Sequence, residues 1–310
     1  DRVLETNFSY PQPWYIEGKG FLFLHTYYKG GRGLNFSTSP DGVTWYERRI
    51  FAHIEEGHYQ VSWPCGGKVG TMFNMHPTAY RGNPKEKGLN WRTNMYYMET
   101  PDMGATWRTA DGTSLEIPIV KRETPALVKD YEAEGLLCYT VDLKYDAEGH
   151  PVLLYVTSRS WEPGPEGGPH VWRIAHWTGG QWVFSEVTES DNNYDFGSLY
   201  IESNERWRII APTIAGPQPY NPGGEMAMWT SPDAGRHWNM ERQLTHDSTY
   251  NHTYARVPLH ANPEFYAFWA DGDARKPSPS RLYFYNLAKD KVYRLPENMD
   301  GETAAPEAVE

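Results

Sequence analysis

Cysteine is scarce in this chain: Cys65 and Cys138 are the two it has. They could pair or remain thiols, and their spacing fits no metal site. Long apolar runs are missing too. Nothing approaches the ~18 apolar residues of a membrane-crossing helix, so no membrane span is expected. Positive charge is short: 29 Lys and Arg stand against 40 Asp and Glu, for a net charge of −11. No run of Lys or Arg interrupts that balance, so nucleic acid is not an expected partner. The chain starts at Asp1 without a signal-peptide pattern, which fits a mature form whose signal has been removed. No metal or cofactor motif stands out.

Aromatic residues are abundant. There are 13 Trp, 22 Tyr and 11 Phe, alongside 28 Gly and 24 Pro. Aromatic and β-branched runs punctuated by Gly and Pro mean many short strands and many turns. Three segments share one pattern: Ser39-Pro-Asp-Gly-Val-Thr-Trp45, Thr100-Pro-Asp-Met-Gly-Ala-Thr-Trp107 and Ser231-Pro-Asp-Ala-Gly-Arg-His-Trp238. The shape suits a hairpin turn. The Asp carboxylate bonds backbone N–H groups, Gly takes positive φ, and Trp plugs the next strand into the core. Asp41, Asp102 and Asp233 are therefore read as turn staples rather than as general acids. Trp45 to Trp107 is 62 residues and Trp107 to Trp238 is 131, about two such steps. A turn motif repeated at that spacing predicts a repeat protein built as a β-propeller.

Each repeat reads as four strands. The expected sets are 12–16, 21–28, 34–38 and 44–51; then 59–64, 69–74, 94–99 and 106–109; then 138–144, 151–157, 170–177 and 181–187. The last two are 197–202, 207–213, 226–230 and 238–243; and 254–260, 265–269, 282–286 and 291–295. The expected fold is an all-β propeller of four-stranded antiparallel blades forming a single domain over 1–310. Five blades follow from the spacing, with six or seven as alternatives.

In a four-stranded meander the loops joining strands two and three share a face with the connections between blades. Those loops are long here, and long loops on a rigid scaffold usually carry function. Strand ends at that face would ring a central depression with His25, Tyr27, His58, His76, Arg92, Tyr139, Arg159, Trp161, His170, Arg173, Tyr194, His252, Arg256 and Asp271. A lone His at such a position is more often a structural hydrogen-bonder. The convergence, rather than any one residue, points to a site.

The runs Tyr10-Pro-Gln-Pro-Trp-Tyr15, Phe21-Leu-Phe-Leu-His25, Asn74-Met-His-Pro77, Asn94-Met-Tyr-Tyr-Met98, Ala110-Asp-Gly-Thr113 and Phe268-Trp-Ala-Asp-Gly-Asp273 carry a resemblance. Together with the repeated turns they resemble the BNR-4 (Asp-box, sialidase-like) propellers, which include ulvan lyases and rhamnose–glucuronate lyases, some first described as α-rhamnosidases. That resemblance implies a secreted or periplasmic enzyme that cleaves a uronic-acid glycan by β-elimination. It implies catalytic roles for His76, His58, Tyr139 and Arg159. No cofactor is required, though the fold leaves room for a structural calcium. His suits a base near neutral pH, Tyr an acid or base, and Arg a bidentate carboxylate partner.

Two other readings stand beside it. A glycoside hydrolase needs a carboxylate pair, for which Asp195, Glu225, Asp271 and Asp273 are candidates. A sialidase would use an Arg triad such as Arg159, Arg173 and Arg256, but the usual Arg-Ile-Pro near the N-terminus is replaced by Tyr10-Pro-Gln-Pro. A non-catalytic sugar binder would stack sugars on Trp91, Trp161 and Tyr220.

Overall fold

The computed structural model describes residues 8–203, 206–298 and 301–309, so both ends of the expected 1–310 domain, with 204–205 and 299–300, lie outside the described residues. The described chain is all-β, with one short 3-10 turn at Gly164–Glu166. The strands form five sheets. The first is β1 (Phe8–Ile16), β2 (Gly20–Tyr28), β3 (Arg32–Ser39) and β4 (Arg49–Ala52), in that order. The second is β5 (Gln60–Cys65), β6 (Lys68–Met75), β7 (Thr93–Thr100), β8 (Trp107–Arg108) and β9 (Ser114–Leu115), with β10 (Leu127–Lys129) against β7. The third is β11 (Leu137–Tyr145), β12 (Pro151–Ser158), β13 (His170–Trp177) and β14 (Trp182–Ser190). The fourth is β15 (Ser198–Ile201), β16 (Trp207–Ile214), β17 (Glu225–Ser231) and β18 (Asn239–Gln243). The fifth is β19 (Asn251–Arg256), β20 (Ala267–Gly272), β21 (Leu282–Asn286), β22 (Lys291–Arg294) and β23 (Glu307–Val309). None of the sheets closes on itself among the described residues.

The five groups of strands match the expected order. The small strands β9, β10 and β23 were not expected. The fifth sheet begins at Asn251 rather than 254 and its first strand stops at Arg256. Pro258 comes two residues later, and proline cannot donate to a ladder. The chain divides into two compact units, Asp1–Leu153 with His176–Val183, and Leu154–Ala175 with Phe184–Glu310.

The repeated turns are pinned by their own side chains. In the first, Asp41 Oδ1 accepts from the N–H groups of Val43 and Thr44 at 2.8 and 2.7 Å. In the second, Asp102 Oδ1 accepts from Thr106 N–H at 2.7 Å while Thr100 Oγ1 accepts from Gly104 N–H at 2.7 Å. In the third, Asp233 Oδ1 accepts from His237 N–H at 2.9 Å. Gly104 shows why glycine is needed: φ is +84° and a Cβ there would sit 2.2 Å from Phe36 Cε2. The three tryptophans were expected in the core, and they divide. Trp107 is 2% exposed, but Trp45 and Trp238 are half-buried and turn their indole N–H back onto Gly42 and Gly235 carbonyls at 3.1 and 3.0 Å.

The core of the first unit gathers Leu22, Leu24, Phe36, Phe51, Phe73 and Trp107. The Trp107 ring stacks on Phe51 at 4.9 Å and meets Phe36 edge-on at 5.6 Å. The second unit has its own core, built on Met226, Met228, Tyr266, Trp269 and Tyr285. Removing a buried indole leaves a cavity that neighbours refill only in part. Trp107→Ala is therefore expected to cost about 3–5 kcal/mol, read as a lowered urea midpoint at unchanged slope. A loss under about 1 kcal/mol, the range of tolerated core swaps, would show that Trp107 does not anchor this core.

Candidate active site

One irregular segment organises the first unit's polar cluster. After β4 the chain runs through Ile54-Glu-Glu-Gly-His58 before entering β5. This strap bonds on both sides. Arg32 N–H donates to Glu56 O at 3.1 Å and His58 N–H to Arg32 O at 3.2 Å. Across the strap, Glu56 N–H donates to His76 O at 3.1 Å and His76 N–H to Gly57 O at 2.8 Å. The approach is close enough that a Cβ on Gly57, whose φ is +112°, would lie 2.4 Å from Arg32 O. Only glycine fits there. Glu55, also at positive φ, secures the strap by accepting from Thr78 N–H at 2.7 Å and pairing with Arg122.

The strap brings His58 and His76 together, as expected, but gives them different tasks. His58 is fully buried. Its Nε2 accepts from Ile54 N–H at 2.7 Å, so its Nδ1 carries the proton and donates to Asn74 O at 2.7 Å. Burial pushes its pKa down to about 3. With both nitrogens committed to backbone, His58 holds the strap and has no lone pair left for chemistry. His76 is also buried, with Nδ1 3.1 Å from Arg32 Nη1 and Nε2 without a partner among the described residues. Burial first, then the charges of Arg92 and Arg32, holds its pKa well below the usual value.

Around His76 lies an aromatic and cationic cluster. The Tyr59 ring sits 4.9 Å from the imidazole. The Arg92 guanidinium lies 3.9 Å from the Tyr59 ring centre and 4.9 Å from that of Tyr139, and Arg32 lies 5.8 Å from Tyr59. Arg92 is fixed by its Nε–H to Leu89 O at 3.0 Å and by Cys138 N–H to its own carbonyl at 2.8 Å. Tyr10 packs edge-on to Tyr59 at 5.0 Å, and burial and a hydrogen bond with Tyr59 raise its pKa. Tyr139 is wholly buried and its hydroxyl donates to Asn90 O at 2.7 Å. Tyr59 and Arg32 were not singled out from sequence, although Tyr59 follows His58 and Arg32 opens β3 after a short loop.

His25 stacks on Phe23 at 4.6 Å, with burial pushing its pKa down to about 4, and Tyr27 carries the Arg48 guanidinium 3.5 Å from its ring centre. The other expected residues fall in the second unit. Arg159 N–H bonds Gly167 O at 2.9 Å in the loop that carries the exposed Trp161. His170 lies 2.9 Å from Asn193 Oδ1 and 3.2 Å from Gly164 O. Arg173 donates to Thr157 Oγ1 and pairs with Glu186. Tyr194 meets Phe196 edge-on at 5.9 Å, and Arg256 lies 5.4 Å from the Tyr254 ring centre. His252 takes the Trp269 indole N–H at 2.9 Å and touches Ser248 Oγ at 2.9 Å. Asp271 accepts from Arg281 N–H and the Tyr283 hydroxyl. Of the carboxylates considered for hydrolysis, Asp195 is the one pushed far up in pKa, by burial, and it lines a cavity of about 210 Å³ with Asp191, itself raised by burial.

For a metal, Asp146, Glu148 and His150 offer ligand atoms within 4.8 Å of one another. Calcium prefers oxygen ligands throughout, so a trio containing imidazole suits it poorly. Cys65 and Cys138 form no disulfide with each other.

A family profile described as "BNR repeat-containing family member", BNR_4, matches residues 5–190, more than half of the chain. The chain belongs to the BNR_4 family. No curated protein matches it in sequence. Among solved structures, this BNR_4 chain is similar to a PL25 polysaccharide lyase, an ulvan lyase, with a TM-score of 0.72 at 16% identity. The match covers 90% of this chain and 65% of the lyase, so the chain spans just under two thirds of that enzyme. The same lyase is also solved bound to -[GlcA(1-4)Rha3S]-. The polysaccharide lyase Uly1 matches with a TM-score of 0.62 at 14% identity, covering 90% of this chain and 58% of that one. A sialidase from Trypanosoma rangeli matches with a TM-score of 0.55 at 11% identity, covering 93% and 52%. At these identities the likeness establishes the shared fold of the BNR_4 chain and those enzymes.

The buried imidazoles set a pH dependence. His58 and His76 are neutral when folded, whereas an unfolded imidazole binds a proton below about 6.5. The unfolded chain then holds more protons, so stability falls as pH drops from about 6.5 towards 3. Each histidine contributes up to about 1.4 kcal/mol per pH unit inside that window. Urea unfolding between neutral pH and pH ~5 should show this loss, with a shallower slope for His58→Gln. A flat profile across that range would contradict the neutral assignment.

Proposed function

We propose that this chain is a carbohydrate-active enzyme, secreted or periplasmic, that cleaves a uronic-acid-containing glycan by β-elimination on a single five-bladed propeller. The observation that carries the reading is the cluster of Arg32, Arg92, Tyr59, Tyr10 and neutral His76 in the first unit. Elimination needs a group to take the C5 proton, a cation to neutralise the adjacent carboxylate, and a proton for the departing O4. The C5–H electrons become the C4=C5 double bond as the C4–O4 bond breaks. Guanidinium and phenol supply those functions, and the step itself needs no cofactor. The likeness in fold to two polysaccharide lyases, one solved with a glucuronate-containing glycan, supports the same class of substrate.

The resemblance in sequence assigns the proton transfers to His76, His58 and Tyr139 and the cation to Arg159. The geometry favours Tyr59 for the proton. It is half-buried with two guanidiniums 3.9 and 5.8 Å from its ring centre, while the Tyr139 hydroxyl is committed to Asn90 O. As phenolate Tyr59 would take the C5 proton, and as phenol return one to the departing O4.

The second reading, an exo-acting hydrolase, is favoured by Asp191 and Asp195. Two carboxyls raised by burial beside one cavity resemble the pair that glycoside hydrolysis uses. Incubation with a panel of uronic-acid glycans, following ultraviolet absorbance of the new conjugated double bond alongside reducing sugar, separates the two. The lyase reading expects both signals to rise together. Tyr59→Phe should lower the rate about 10²–10⁴-fold and Asp195→Asn should leave it near wild type. Reducing sugar without absorbance, lost in Asp195→Asn, would replace the lyase with a hydrolase. A pure sugar binder would give neither signal.

A further inference from the structure

Arg32 differs from four other arginines of the chain. Arg108, Arg122, Arg208 and Arg281 each pair with a carboxylate. Arg32 pairs with none among the described residues. Its one side-chain hydrogen bond there runs from Nη1 to His76 Nδ1 at 3.1 Å, and its guanidinium lies 6.0 and 5.8 Å from the ring centres of Tyr28 and Tyr59. Its backbone is clamped to the strap through Glu56 O and His58 N–H, so the side chain starts from a fixed point. The residue as a whole is half-buried and retains access to solvent.

A guanidinium has donors only. His76 Nδ1 must therefore be the acceptor and Nε2 must carry the ring proton. This removes the lone pair that a general base would need and makes the imidazole a neutral bracket. Other groups acting on the ring, Arg92, His58 and Tyr59, bring no negative charge. The choice of bracket has a consequence. A carboxylate holding Arg32 would cancel its charge. A neutral imidazole fixes the same geometry and leaves the full positive charge for a ligand. The remaining N–H groups keep the fork that matches a carboxylate.

We propose that Arg32 is the carboxylate anchor of this site and that His76 is a positioning residue that aims it, an inference that rests on the uronate reading above. Sodium glucuronate serves as the probe and glucose as its uncharged control. Calorimetric titration of wild-type protein should show glucuronate binding and no comparable heat with glucose. Arg32→Met, which keeps the stem and removes the fork, should weaken glucuronate by about tenfold or more. His76→Gln offers an amide oxygen to the same guanidinium and should stay close to wild type, whereas His76→Leu should follow Arg32→Met.

Nitrogen NMR of histidine-labelled wild-type protein supplies an independent readout. It should show His76 protonated at Nε2 and unprotonated at Nδ1 at neutral pH. A proton on Nδ1 would overturn the proposal, even if no variant folds. So would unchanged glucuronate affinity in Arg32→Met, or no glucuronate binding by wild type. Neither readout involves turnover. A protein that passes both tests yet forms no unsaturated product keeps the anchor and loses the lyase reading. One that forms the product but fails these tests keeps the lyase and loses the anchor.

Discussion

The candidate site depends on one close approach of backbone to backbone, at Gly57. Because that residue has no side chain and sits at positive φ, the strap it belongs to can hydrogen-bond to Arg32 on one side and His76 on the other. The two side chains are thereby delivered to within 3.1 Å of each other from strands in different sheets. Everything else in the cluster follows from that meeting. His58 is spent on holding the strap shut, Asn74 steadies the start of β5, and Glu55 with Arg122 ties the strap to the loop after β6.

Desolvation then sets the chemistry. The aromatic surroundings make a second positive charge on His76 costly, so the imidazole stays neutral between two guanidiniums. A neutral ring among cations leaves the cluster with net positive character in a chain whose total charge is −11. Locally gathered arginine against a negative background favours an anionic ligand at this cluster. The Tyr10–Tyr59 pair adds aromatic surface beside these cations.

Much of the architecture was legible in the sequence because it is local. The Ser/Thr-x-Asp turns announce themselves through residues that bond within four positions of one another, and the strands between them carry runs long enough to place all five sheets in order. The features that escaped are non-local or too short. β9, β10 and β23 have two or three residues each and exist because a neighbour offers an edge. Trp45 and Trp238 follow the same motif as Trp107 but cap their own turns, since burial depends on what lies opposite. His76 stood out in the sequence, yet its partner did not. Arg32 lies 44 positions away, and only the strap, with no periodic pattern of its own, joins them. Tyr139 was placed on the correct strand, but its hydroxyl bond to Asn90 O depends on a loop conformation that composition does not encode.

The central claim is that the glycosidic bond is broken without water adding to the sugar. Running the reaction in heavy-oxygen water and weighing the products tests this directly. Elimination predicts that the new non-reducing end carries no heavy oxygen and is lighter than the hydrolysis product by one water. Heavy oxygen incorporated at the cleaved glycosidic carbon, with no unsaturated end, would contradict the account and make the enzyme a hydrolase.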